Sequence, residues 1–399
     1  MSAAAGSSDG AARRAANDWA QRAGGVRYAL ATADDDADLR ALLRENPMGG
    51  AVRVALEREP SYFACPALEG DEHATILARD TRTGRAVAMG GWSVRTAYLN
   101  GVPARLAYLC HLRVAREYRR RPRLVIDGYR FLRAALPADA PPFLLTSVVA
   151  DNREALRLLE RGLPGMPAYD RVADFVTQLL PVIRRRCGPR SIAARGAASG
   201  GRLRPAEERD APAIVDCLAR NHVRYQFAPV WTRATLGSAT HTPGLRITDF
   251  IVIERAGDVV GCAALWDQRA FKQAVIRGYA PALARWRWLV NAFGPLAGIP
   301  PLPAVGVALR YAFISHLAAD GDDCDALAAL VRALRTDAAR RGLDAVLLGL
   351  AADHPWRIVA GRFGGRAYPS MLFAVSWPEG RGAVAGLDAR IVHPELSLL

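Results

Sequence analysis

The segment His111 to Val125, HLRVAREYRRRPRLV, sets a histidine, a glutamate, a tyrosine and a dense run of arginines where a strand gives way to a helix. The first backbone N–H groups of a helix have no internal acceptor and carry partial positive charge, so such a turn attracts anions. Phosphate-binding turns commonly use glycine, which lets the backbone approach closely. This turn has none. It places Pro122 at the first helical position, where proline is tolerated at the cost of one N–H donor. Arg119, Arg120, Arg121 and Arg123 offer charge-assisted bonds to a pyrophosphate in place of that donor. Leu124 adds bulk beside the ligand or packs inward. The competing reading is a solvated arginine-rich helix start that holds nothing.

Two copies of one element pattern position this turn. Each half opens with a short strand, an acidic turn and an amphipathic helix: DADLRALLREN from Asp36 and DAPAIVDCLARN from Asp210. Both start at Asp, a good N-cap, and space apolar residues three and four apart. Paired strands follow and end at Trp92 and Trp266. A strand ending in His-Leu comes next, at His111 and His316, then a helix, then a strand running into Ala-Asp at Asp151 and Asp353. The offsets are 175 residues for Asn46 to Asn221 and 174 for Trp92 to Trp266. They become 205 for His111 to His316 and 202 for Asp151 to Asp353. One jump of roughly thirty residues between consistent blocks is what a duplicated domain with a single insertion gives. The expected order per half is β-α-β-β-β-α-β-α-β, with the Asn100-Gly101 step joining two strands as a tight hairpin. Residues 1–25 read as a frayed tail, 26–183 as the first domain, 184–202 as a linker and 203–399 as the second domain, with the insertion at about 267–306.

Composition narrows the function classes. The formal net charge is +14, which favours an anionic partner. Yet Lys272 is the only lysine, and the arginine and alanine excess fits the composition bias of a high-GC genome. No aromatic-interleaved basic surface or motif points to nucleic acid. The six cysteines are scattered without a Cys-x-x-Cys pair, so neither a zinc site nor a disulfide framework is indicated. The most apolar window, Trp288 to Leu309, holds four prolines and follows Arg285 and Arg287, unlike a membrane span. With no secretory signal, a cytoplasmic protein without a membrane partner is expected.

The first half resembles the GNAT superfamily of acyl-CoA-dependent N-acyltransferases. The resemblance rests on Leu112-x-Val114, three residues, then Tyr118-Arg119 opening a helix, and on Asn152-Arg-Glu-Ala155 with Leu158, Leu159 and Gly162. It departs from the family pattern where Arg120, Pro122 and Leu124 replace small residues, and where Leu159 replaces a tyrosine general acid. It covers most of the first half and, more weakly, the second. It implies an α+β fold of two tandem GNAT-like acyltransferase domains, each a mixed, mostly antiparallel twisted sheet flanked by helices. It also implies acetyl-CoA or another acyl-CoA as co-substrate, no metal, and a small-molecule or peptide amine as acceptor. Leu112, Arg113, Val114, Arg119, Arg120, Arg121, Arg123 and Asn152 would hold the CoA.

Amine attack on a thioester needs a base and an acid. His111, Glu117 and Tyr169 are the catalytic candidates, with Asp151 weighed beside them. His111 is either catalytic or a hydrogen-bonded core residue. Asp151 is either a base or a helix cap. Tyr169 either lines the acceptor pocket or closes a turn. The second half places Asp320, Asp322, Asp323 and Asp325 where a phosphate cradle would be basic, so it is expected to be structural or to shape the acceptor site. The alternative function is a non-catalytic protein binding CoA or a metabolite on the same fold.

Overall fold

At Asn100 and Gly101 the backbone takes φ values of 51° and 79°, the double left-handed step of a type I′ hairpin. It joins β4 (Ala86–Leu99) to β5 (Val102–Val114), the longest antiparallel pair of the first half. The protein is described here from a computed structural model covering residues 25–65, 68–182, 201–294 and 302–399. The tail (except Gly25) and the linker (except Gly201 and Arg202) lie outside the described residues.

The first half runs β1 (Val26–Leu30), α1 (Asp36–Glu45), β2 (Val52–Glu57), β3 (Glu72–Asp80), β4, β5, α2 (Pro122–Ala135), β6 (Leu144–Val149), α3 (Arg153–Leu159) and β7 (Ala168–Pro181). The second runs β8 (Arg202–Pro205), α4 (Ala211–His222), β9 (Phe250–Arg255), β10 (Asp258–Trp266), β11 (Gln273–Tyr279) and α5 (Pro281–Phe293). It continues with β12 (Tyr311–Ala319), α6 (Cys324–Arg340), β13 (Ala345–Ala351), α7 (Arg357–Arg362), β14 (Arg366–Ser376) and α8 (Arg381–Ala385). Four elements lie outside the order expected per half: β2, β11, α5 and the final α8. β2 has no counterpart in the second half, and β11 with α5 form the insertion. These extras meet: β11 pairs with β2 as a separate two-stranded ribbon.

Alternation along the strands seats helices on opposite faces. In the first half, Leu77 and Met89 pack with Leu39, Leu42 and Leu43 of α1. Their neighbours Ile76, Ala78 and Ala88 pack with Leu124, Val125, Tyr129 and Leu132 of α2. The second half repeats the arrangement. Phe250, Val252 and Cys262 face Ile214 and Leu218 of α4, while Ile251, Ile253 and Ala263 face Leu327, Leu330 and Leu334 of α6.

The two halves do not form two sheets. All strands except β2 and β11 join one sheet of twelve, in the order β1-β3-β4-β5-β6-β14-β7-β13-β12-β10-β9-β8. Each half ends by giving its last strand to the other: β14 lies between β6 and β7, and β7 pairs with β13. The exchange joins the two half-sheets, and among the described residues β1 and β8 are the outermost strands of the sheet. The parallel pairs are β5–β6 and β12–β13.

Candidate active site

The recurrent His-Leu dipeptide is a β-bulge. Met89 faces Arg113 and Gly91 faces Cys110, so Gly90 alone opposes both His111 and Leu112. In the second half Cys262 faces Ala318 and Ala264 faces Ser315, so Ala263 opposes His316 and Leu317. The first residue of each bulge is left-handed, φ 56° at His111 and 51° at His316. Such a bulge bends its strand and re-aims a side chain. Next to the first bulge the sheet opens: β5 and β6 pair only at Ala107–Leu144 and Tyr108–Leu145 before separating.

Beyond the bulge lies an apolar cavity of about 520 Å³ including its open mouth. Gly90, Gly91 and Leu109 line one side, and Leu124, Tyr129 and Leu132 of α2 line the other. Its two hydroxyls are engaged elsewhere: Tyr28 donates to the Leu124 carbonyl at 2.7 Å, and Tyr129 bonds Tyr169. Leu124 therefore packs inward.

A second, polar pocket is lined by Arg58, Glu69, Ser93, Tyr108, Cys110 and His111, with Lys272 and residues 397–399 supplied by the second half. Cys110 borders both cavities. His111 Nε2 lies 2.8 Å from Glu69 Oε1 and 2.9 Å from Arg58 Nη2, and Arg58 pairs with the same carboxylate. Arg95 bonds the Glu69 carbonyl, fixing the loop that carries it. Lys272 Nζ donates to the Leu399 carbonyl at 3.0 Å.

Burial and charge set the protonation states. Burial would raise the Glu69 carboxyl, but Arg58 and His111 outweigh it and hold it far below the usual carboxylate range. Burial, reinforced by Arg58, lowers His111 below its ordinary value despite Glu69, so the imidazole is neutral at pH 7. Burial and Arg58 push Lys272 down to about 8. Burial and the Glu69 charge raise the Cys110 thiol, which stays protonated and is a poor nucleophile. Glu69, Cys110 and His111 bring potential metal donors within 4.8 Å of one another. Arg58 already fills the cationic position among them, so the trio does not suit a divalent ion.

The sequence-named residues are distributed as follows. His111, Leu112, Arg113 and Val114 lie on the bulged strand. The Leu112 and Val114 carbonyls accept from Arg113 and Arg119. Arg119 also donates to Asn46 at 3.0 Å, tying the turn to the end of α1. Arg120, Arg121 and Arg123 are exposed at the start of α2, with Arg121 stacked on Tyr118. The turn is not a backbone cradle, because the Tyr118, Arg119, Arg121 and Leu124 N–H groups already bond carbonyls three residues back.

Three named residues do not join the site. Glu117 is exposed, bonded to Arg85, and lines neither cavity. Tyr169 contacts Tyr129 and Phe373 behind α2, and burial raises its hydroxyl well above the ordinary value. Asn152 caps α3, its Oδ1 accepting from the Ala155 N–H at 3.2 Å. Sequence reasoning missed Glu69, Arg58 and Lys272. The last carried a signal, as the single lysine of an arginine-rich chain.

In the second half the equivalent site is filled by the chain. The His316 N–H donates to the Glu395 carboxylate at 2.9 Å. The acidic turn is taken up by Arg220 on Asp320, Arg224 on Asp322, and Asn221 on Asp320. Asn221 thus holds this turn as Asn46 holds the other.

No protein-family model and no curated protein matches the sequence. Solved structures do match the fold. The chain is similar to Saccharomyces cerevisiae N-myristoyltransferase with bound myristoyl-CoA at 14% identity, with 89% of this chain and 83% of that one covered and a TM-score of 0.55. A GCN5-related N-acetyltransferase from Sphaerobacter thermophilus matches at 13% identity over 88% of this chain and 96% of that one, TM-score 0.53. The architecture is the double GNAT fold, α+β, with a large mixed and mostly antiparallel sheet. Among the described residues, no helix is long and apolar enough to cross a membrane.

Proposed function

We propose that this chain is an acyl-CoA-dependent N-acyltransferase whose reaction takes place at the His111 bulge. The observation that carries the reading is Cys110, which walls an apolar cavity on one side and a charged pocket on the other. A thioester carbonyl at this junction sends its acyl chain into the apolar cavity under α2. The amine enters from the side of His111 and Lys272. The CoA pyrophosphate lies against Arg120, Arg121 and Arg123, whose side chains supply what a glycine-rich turn supplies through its backbone.

The amine nitrogen attacks the carbonyl carbon, the new N–C bond forms, and the C–S bond breaks with its electron pair leaving on the CoA sulfur. The surplus ammonium proton passes to His111. With Nε2–H directed at Glu69, Arg58 donates to the same carboxylate and not to the ring, Nδ1 keeps a free lone pair, and Glu69 stabilises the imidazolium that results. The bulge N–H of His111 faces the developing oxyanion. In the second half the same N–H holds a carboxylate oxygen, which makes the position suited to negative oxygen. The raised Cys110 thiol argues for direct transfer over an acyl-cysteine intermediate. The cavity lining suits a hydrocarbon tail longer than acetyl.

The test is thiol release from acyl-CoA esters of increasing chain length with a panel of peptide and small-molecule amines. Turnover that rises with chain length and is lost in His111→Ala supports the reading. Binding without turnover for every amine would leave a CoA-binding protein on the same fold.

A further inference from the structure

The insertion carries a surface that the proposed reaction does not use. None of the residues of α5, PALARWRWLVNAF, is buried. Trp286, Trp288 and Phe293 are 51%, 65% and 61% exposed, and Val305 and Val307 further along the insertion are also exposed. Every other described tryptophan is buried: Trp92, Trp231, Trp266, Trp356 and Trp377. The helix is nonetheless held in place from its inner side. Asn291 exchanges two hydrogen bonds with the Leu302 backbone, and Arg287 and Tyr279 both donate to the Pro303 carbonyl. Its exposed arc is therefore fixed: Trp286 and Phe293 project along one edge, Trp288 and Ala292 along the other, and Arg285 lies between them.

The charge around this face has one sign. Between Asp267 and Asp320 the sequence contains no acidic residue. On the helix, Arg285 is exposed and stacks on Trp286. Exposed tryptophan and phenylalanine rings flanking an exposed arginine match the interface of a lipid bilayer, where aromatic rings sit at headgroup level and arginine meets anionic lipid. A globular partner would need a complementary acidic and apolar groove. An anionic bilayer supplies both properties without one.

We propose that α5 is a peripheral membrane-docking element that lies in the plane of an anionic phospholipid surface. This departs from the expectation of no membrane partner, which rested on the prolines that rule out a span. The ribbon of β2 and β11 separates the surface from the pocket. Arg58 and Lys272 flank its Glu57–Gln273 end, and α5 follows its Val52–Tyr279 end, about 20 Å away for a seven-residue strand. Substitutions on the outer face of α5 thus leave the pocket untouched.

The experiment is flotation of the full chain with vesicles of phosphatidylglycerol and phosphatidylcholine, and with phosphatidylcholine alone, at about 0.1 M salt. The expected result is co-flotation with the anionic vesicles, a blue shift of tryptophan emission, and quenching by brominated lipid. Combined Trp286→Ala, Trp288→Ala and Phe293→Ala should weaken binding at least tenfold while the thermal melt stays as in the parent. Arg285→Ala should weaken it roughly fivefold, given ~1 kcal/mol per basic residue. A parent protein that stays in the lipid-free fraction would overturn the proposal. So would a triple variant that floats like the parent, or a concentration-dependent dimer that the triple variant dissolves in the absence of vesicle binding.

Discussion

His111 holds a left-handed backbone conformation that few non-glycine residues adopt, and there its ring meets Glu69 and Arg58. For the base we propose, its loss should lower kcat by about 10²–10⁴-fold with CoA affinity unchanged, measured by thiol release beside calorimetry. Because its pKa lies below the ordinary ~6.5, the acidic limb of the rate profile should fall below pH 6.5, rising as the imidazole loses its proton. A limb above pH 7 would assign the base to another group, with Lys272 at about 8 the first candidate. Glu69→Gln removes the partner of a buried guanidinium. It should cost about 3–5 kcal/mol of stability, read as a large drop in denaturation midpoint. An unchanged midpoint would mean that Arg58 finds another counter-charge. The histidine was legible because the dipeptide repeats. Glu69 and Arg58 were not, because they sit where no local periodicity exists and meet His111 only after the chain folds.

At the scale of the element, the α2 turn and the α3 cap separate ligand binding from helix stability. Arg121→Ala with Arg123→Ala should raise the Kd for CoA at least tenfold, since a charged hydrogen bond contributes about 1.5–3 kcal/mol. Asn152→Ala should instead lower stability by ~1 kcal/mol, the usual cost of a lost N-cap, and leave CoA affinity alone. A changed Kd in Asn152→Ala would return that residue to the ligand. The helix start at Pro122 and the Asn100-Gly101 hairpin were readable from sequence, since each is dictated by its own turn chemistry. The N-cap expected at Asp36 was not: Asp36 is the first helical residue, and its carboxylate instead accepts from Ser61 and the Tyr62 N–H. β2 was not, because its partner β11 stands more than 200 residues away in the chain. The apolar cavity was likewise hidden, since α2 and four strands, β1, β3, β4 and β5, form it together.

Over the whole molecule, the exchange of β7 and β14 makes the two halves one cooperative body. Residues 26–182 expressed alone would lack the strand between β6 and β7, and should show no cooperative thermal transition; a sharp melt would contradict this. Four buried histidines, His222, His316, His354 and His393, add a pH dependence. Burial depresses all four, His354 to about 4, and His354 and His222 further lower His393. The unfolded chain then binds protons first, so stability is full above pH ~6.5 and is lost as pH falls toward 4. The melting temperature should drop across that window.

The repeat in sequence predicted two similar halves, but not that they share one sheet or that the second fills its own site. The most direct test of an acyl-CoA site confined to the first half is a calorimetric titration with octanoyl-CoA. One site per chain, weakened at least tenfold by Arg121→Ala with Arg123→Ala and unmoved by Asp320→Ala, is the predicted result. Absence of binding, or two equivalent sites, would contradict it.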